Sequence, residues 1–215
     1  MMKILITGFD PFEKEKVNPS YEAVKLLPDT IAGAEIIKLE IPTVFADCLK
    51  PIEKAVEQYH PDAIICIGQA GGRSCLTIEK VGINIMDARI PDNSGAQPID
   101  VPVVAGGPDA YFATIPVKAM MQNVRDHNMP CFVSYTAGTF VCNAVMYMVL
   151  HMCAVQYPDI RAGFMHVPYE NSQAIDKLQG TPSMSLKDIA VSIEYAVEAL
   201  VKNESDIAVG GGTTH

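Results

Sequence analysis

The chain has 215 residues, 49% hydrophobic and 19% charged, with a formal net charge of −9. That length suits one α/β domain able to bury a core without covalent staples, and the composition excludes a disordered chain. The acidic balance argues against nucleic acid or an anionic membrane as partner, since both need a basic face. No apolar stretch reaches the roughly 18 residues required to span a bilayer.

Met1–Lys3 leads directly into Ile4–Ile6, too short a run for a secretory signal core, so a cytoplasmic chain is expected. Lys3–Thr7 reads as a buried strand closed by Gly8. Pro19–Leu27 has helical spacing, with Pro19 suited to a first turn after Asn18. Ala34–Leu39 is strand-like, Thr43–Tyr59 amphipathic and helical, and Ala63–Ile67 a second buried strand closed by Gly68. Cys75–Ile85 alternates as one strand, and residues 91–110, rich in Pro, Gly, Asp and Asn, form a loop excursion. Ile115–His127 is helical, Cys131–Tyr135 a strand, Cys142–Gln156 a helix and Gly163–Val167 a strand stopped by Pro168. Ser185–Lys202 is the last helix, opened by a Ser185-x-x-Asp188 capping box. The tail from about residue 208, with Gly210–Gly212, is expected to be mobile.

Strands and helices alternate, so residues 1–215 are expected to form a single three-layer α/β sandwich. Its twisted, mostly parallel (mixed) sheet would carry helices on both faces. Ligand sites in such sheets gather at the carboxyl ends of strands. That directs attention to Gly8–Asn18, Gly68–Arg73, Tyr135–Cys142 and His166–Tyr169.

Six cysteines are scattered along the chain, five of them in apolar contexts that suit buried free thiols in a reducing compartment. There is no Cys-x-x-Cys pair and no histidine at ligand spacing from a Cys or carboxylate cluster, so a zinc site is not expected. Cys142 differs from the others. It follows a turn, Thr136–Val141, and opens a helix, where unpaired N–H groups and the helix dipole favour a thiolate and offer donors for an oxyanion; a small buried hydrophobe and a nucleophile are both open readings. His166 ends a strand at the same sheet edge; a hydrogen-bonded core histidine and a general base are both open readings. Glu79 falls on an apolar strand face, where a carboxylate is costly unless paired. Lys80 points the other way, so the pairing is either structural or serves to orient His166, as the third member of a hydrolase triad does. The Gly68-Gln69-Ala70-Gly71-Gly72-Arg73 loop lacks the pattern of a phosphate cradle.

Five motifs in order resemble pyroglutamyl peptidase type I, the pyrrolidone-carboxylate peptidase family. They are Gly8-Phe9-Asp10-Pro11-Phe12 with Val17-Asn18-Pro19-Ser20; Gly68–Arg73; Ile78-Glu79 through Asp87–Asn93; Thr136–Asn143; and His166-Val167-Pro168-Tyr169. The resemblance implies a cofactor-free cytoplasmic cysteine peptidase, commonly a tetramer, that removes an N-terminal pyroglutamyl residue from peptides. It implies a triad of Cys142, His166 and Glu79, with Arg89 and the Cys142 N–H at the oxyanion. Phe9, Phe12 and Val141 would wall the lactam ring, and Gln69 and Asn18 would supply polar contacts. Where the family usually has Gly-Gly after Gly-Phe-Asp-Pro-Phe, this chain has Glu13-Lys14, so that turn is expected to take different backbone angles. Its abundant Met and apolar helix faces such as Met146-Val149-Leu150-Met152 also suggest self-association. Two rivals remain: a nucleoside phosphorylase-like transferase, which needs a phosphate site, and a protein that binds pyroglutamate without cleaving it.

Overall fold

The computed structural model describes residues 1–13 and 15–212. The apolar run at Ile4–Ile6 lies within β1 (Lys3–Phe9), whose interior residues are fully buried. Helix α1 (Pro19–Leu26) follows, capped by Asn18, whose side chain accepts the Ser20 N–H. Then come β2 (Thr30–Ile31), β3 (Ala34–Ile41), α2 (Lys50–Tyr59), β4 (Ala63–Gln69), β5 (Leu76–Glu79), β6 (Val81–Ile83) and β7 (Ala110–Phe112). The chain continues through α3 (Val117–Asp126), β8 (Cys131–Ser134), α4 (Val141–Gln156), β9 (Arg161–Val167), β10 (Tyr169–Glu170), α5 (Asn171–Ala174), β11 (Ser183–Met184) and α6 (Leu186–Lys202).

Seven strands form one sheet in the order β2-β3-β1-β4-β9-β5-β8. Strands β3, β1, β4 and β9 run parallel, as the buried apolar runs predict. Strand β5 is antiparallel to β9, and β8 runs parallel to β5, so one side of the sheet is reversed. Helices α1, α3 and α6 pack together on one face, with α2 and α4 on the other. Two small two-stranded sheets, β6–β7 and β10–β11, lie outside the main one.

Three expectations need correction. The helix expected from Thr43 begins only at Lys50. The backbone N–H groups of Thr43 and Phe45 are taken by the carboxylates of Asp10 and Asp92, at 2.7 and 2.9 Å, which holds Thr43–Phe45 in a non-helical path. The expected single strand Cys75–Ile85 breaks at Lys80. There its N–H donates to the Ser134 carbonyl and its own carbonyl accepts from Ala113, so Val81–Ile83 leaves the sheet. The face of Met146, Val149, Leu150 and Met152 is buried within the chain and offers no surface for self-association.

Helix α6 opens as expected, with the Asp188 N–H on the Ser185 hydroxyl. In the C-terminal segment Asp206 accepts the N–H groups of Lys118 and Ala119, capping α3, and Val209 packs against the core. The end of the expected mobile tail, 213–215, lies outside the described residues, as does Lys14. Glu13 has φ +56°, the left-handed region that glycine enters freely.

Candidate active site

The reversed strand brings the acidic member of the site to the basic one. Glu79 ends β5, and Thr77 of the same strand pairs in register with His166 of β9. Glu79 lies two residues along from Thr77, on the same strand face, so its carboxylate reaches back to His166. His166 Nδ1 lies 2.7 Å from Glu79 Oε1, with Glu79 fully buried and His166 3% exposed. The carboxylate accepts this bond, so Nδ1 carries the proton and Nε2 presents its lone pair.

Glu79 has a second partner that the sequence reading missed. Arg73 Nη1 donates to the same Oε1 at 2.6 Å, and also to the Thr77 hydroxyl; Nη2 donates to the Thr136 carbonyl at 3.1 Å. Burial pushes the Glu79 carboxyl up, but the His166 hydrogen bond and the charges of His166 and Arg73 outweigh it and leave it below its usual range. Burial likewise pushes His166 below the ordinary imidazole value, opposed by Glu79 and assisted by Arg73. The resting imidazole is neutral.

Cys142 is the second residue of α4, which starts after Phe140 with no side-chain cap. The N–H groups of Val141, Cys142 and Asn143 have no acceptor among the described residues, so the helix presents three free donors beside the thiol. Its sulfur lies over Gly68, the register partner of His166; a β-carbon there would be 2.8 Å from Cys142 Sγ and 2.8 Å from Phe164 Cζ. Among the described residues Sγ makes no hydrogen bond. The expected lowering of the thiol pKa is not found. Burial pushes Cys142 up to about 12, and Glu79 adds to it; Arg73 and the Cys142 N–H only partly oppose them. The dipole of one helix end is too weak to offset that desolvation. The resting pair is thiol and neutral imidazole.

The start of α4 is anchored by Asn143, fully buried, whose side chain accepts the Ile83 N–H and donates to the carbonyls of Ile83 and Ile85. The Thr139 hydroxyl and carbonyl engage Asp87. These bonds fix the turn before Cys142 against the segment that carries Arg89. Arg89 itself is exposed.

Phe12 and Phe140 are half-buried, with ring centroids 5.2 Å apart, and Phe45 meets Phe140 edge-on at 5.2 Å. Phe9 and Val141, at 2% and 0% exposure, are packed within the core. The Asn18 oxygen accepts from the Ser20 N–H and hydroxyl, and its amide donates to the Asp10 carbonyl. Gln69 ends β4, and its oxygen accepts from Gln173 Nε2 at 2.9 Å. Lys177 pairs with Glu15 at 2.6 Å, joining the segment after β1 to the one after β9. Phe45, Phe140, Asn143 and Gln173 escaped the sequence reading. Phe140 and Asn143 carried a signal, since they flank Val141-Cys142.

The sequence model of the pyroglutamyl peptidase family matches residues 2–203. The pyrrolidone-carboxylate peptidase of Enterococcus faecalis is 55% identical over 214 residues, covering 100% of both chains. That of Clostridium perfringens is 54% identical over 211 residues, covering 98% of this chain and 99% of the other. The crystal structure of Bacillus amyloliquefaciens pyroglutamyl peptidase I superposes with a TM-score of 0.93 at 43% identity, covering 96% of this chain and 100% of that one. With a buried carboxylate–imidazole pair beside a helix-terminal cysteine, and likeness of this extent over its whole length, the chain belongs to the pyroglutamyl peptidase family of cysteine-type hydrolases.

Proposed function

We propose that the chain, folded as one domain, removes an N-terminal pyroglutamyl residue from peptides with Cys142 as nucleophile, His166 as acid–base and Glu79 as the group that orients it. The observation that carries this assignment is the 2.7 Å bond between two buried side chains, His166 Nδ1 and Glu79 Oε1, next to a cysteine on an uncapped helix end. Since the thiol is held high and the imidazole low, attack and proton transfer proceed together. His166 Nε2 takes the Sγ proton as sulfur bonds to the pyroglutamyl carbonyl carbon. The resulting oxyanion is stabilised by the Cys142 N–H and its neighbours at the start of α4, with Arg89 reaching in from the segment pinned to Thr139. Collapse expels the peptide amine, which takes the proton from His166. Water, deprotonated by His166, then hydrolyses the thioester and frees pyroglutamate.

The ring is received by Phe12 and Phe140, with Phe9 and Val141 behind them and Gln69 and Asn18 supplying polar contacts. A working thiol and five other unpaired cysteines suit a cytoplasmic location. Assembly as a homotetramer is what the family resemblance implies; a monomer in light scattering at every concentration overturns it. The activity is tested with a chromogenic pyroglutamyl amide in the presence of a thiol reductant. Turnover by the wild type and its loss in Cys142→Ser is the expected result. Phosphorolysis of nucleosides, or binding of pyroglutamate without turnover, would instead favour the rival readings.

A further inference from the structure

We propose that Arg73 is a positioning residue for the peptidase reaction, one that holds the Glu79–His166 pair and the turn carrying Cys142 in register with each other. The inference rests on the catalytic reading of Glu79 and His166 given above.

The geometry supports this on three counts. First, Arg73 and His166 converge on a single oxygen of Glu79, while Oε2 is buried without a partner. The carboxylate is therefore aimed by two donors on one atom, and one of the two carries a permanent charge. Second, the other arm of the guanidinium binds the Thr136 carbonyl, at the head of the Thr136–Phe140 turn that leads to Cys142. Ser134, the register partner of Glu79, places its hydroxyl on the same carbonyl at 3.1 Å. One side chain thus ties the strand bearing the acid to the turn bearing the nucleophile. Third, the planar fork meets a hydroxyl, a carboxylate and a carbonyl together, which an ammonium on a flexible stem does not reproduce. The Arg73 side chain is 26% exposed, along a groove of about 520 Å³ that it lines with Thr77, Ser134 and Thr136. A small cation can therefore reach its place from solvent.

Among the described residues, the ionisable groups facing this cluster are Glu79 from β5, His166 from β9, Cys142 from α4, Cys75 just before β5, and Arg73 itself. Without the positive charge, Glu79 and His166 both gain affinity for protons. Arg73→Gln is expected to lower kcat about 10–100-fold, the range set by loss of a charge-assisted hydrogen bond, with little change in KM. The acid limb of its kcat/KM profile should move to higher pH. Arg73→Lys should keep the wild-type acid limb with an intermediate kcat. In Arg73→Ala, added guanidinium ion, well below denaturing concentration, should restore part of kcat where an equal concentration of sodium does not. Glu79→Gln is measured alongside. If it keeps full activity, the catalytic reading of Glu79 fails; if it is inactive while Arg73→Gln has the wild-type rate and profile, the role of Arg73 fails. Should Arg73→Gln not fold, Arg73→Lys decides, and a wild-type kcat there overturns the proposal.

Discussion

A β-carbon on Gly68 would occupy the space of the Cys142 sulfur, 2.8 Å away. Glycine is needed at that point of β4 because the nucleophile rests directly on the backbone. Gly68→Ala must displace both Sγ and the Phe164 ring, each 2.8 Å from the added atom. The expected outcome is a folded protein weakened by roughly 1–3 kcal/mol, the usual cost of overpacking, with kcat/KM down by about 10²-fold, since small misplacements at a reacting atom cost that much. Thermal melts and kinetics on the same sample check it; wild-type activity would show that the sulfur has room to move.

The pH profile should reflect His166. Burial lowers its pKa below the ordinary imidazole value, and the neutral ring is the working base. Activity is therefore retained as pH falls through about 6.5 and is lost only when His166 itself protonates. The acid limb of kcat/KM, which reports the free enzyme, should lie below that value. A limb above it contradicts a desolvated base. Glu79→Gln should reduce kcat by about 10²–10⁴-fold, as expected when a triad loses the group that fixes the imidazole tautomer.

Selective alkylation follows from burial and from the neighbouring base. Cys48, Cys66, Cys131 and Cys153 are buried, with thiols pushed up to about 12, and Cys75 is buried and raised as well. Cys142 is as high but partly exposed and beside His166. Iodoacetamide at neutral pH should modify Cys142 first, one equivalent abolishing activity, with a rate that follows deprotonation of His166. Peptide mapping that finds another cysteine labelled first, with activity intact, rejects this.

Asn143→Ala should misplace the nucleophile without touching substrate. It leaves the Ile83 N–H and the Ile83 and Ile85 carbonyls unpartnered, at roughly 2–4 kcal/mol by the cost of buried unsatisfied groups. A denaturant midpoint unchanged from wild type would show that water replaces the side chain.

Specificity should discriminate pyroglutamate from proline although the rings are nearly the same size. The lactam is neutral, with one acceptor and one donor, whereas the ring nitrogen of an N-terminal proline is a charged ammonium. Against Phe12 and Phe140 that charge is unpaired and costs several kcal/mol. A site built to hydrogen-bond a ligand also rejects one lacking the partner by up to ~10⁴–10⁵. A prolyl amide should have kcat/KM at least ~10³ below the pyroglutamyl amide. Comparable values would mean that the pocket does not read the lactam.

Much of this architecture is legible in the chain. Ile4–Ile6 and Ala63–Ile67 are buried strands because nothing in them is polar, and Ser185 and Asn18 start helices as capping chemistry requires. What escapes reading is set by partners far away in sequence. The alternation of Cys75–Ile85 continues through Lys80, where long-range bonds to Ser134 and Ala113 end the strand. The helical pattern at Thr43 loses to carboxylates 33 and 47 residues away. Cys142, Glu79 and His166 stood out by residue type and position. Arg73 did not, because the sequence shows that Glu79 needs a partner without showing which residue supplies it.

The position of β9 has a consequence for how the enzyme is made. This strand enters between β4 and β5, is the last strand of the sheet to be synthesised, and carries His166. Until it emerges from the ribosome, β4 and β5 have no common neighbour and Glu79 has no imidazole to hold. Pairing over so long a stretch of chain is slow and leaves apolar strand edges exposed meanwhile. A nascent chain that ends between Cys142 and His166 therefore holds the thiol but lacks the base, and the facing edges of β4 and β5 stay unpaired until β9 arrives.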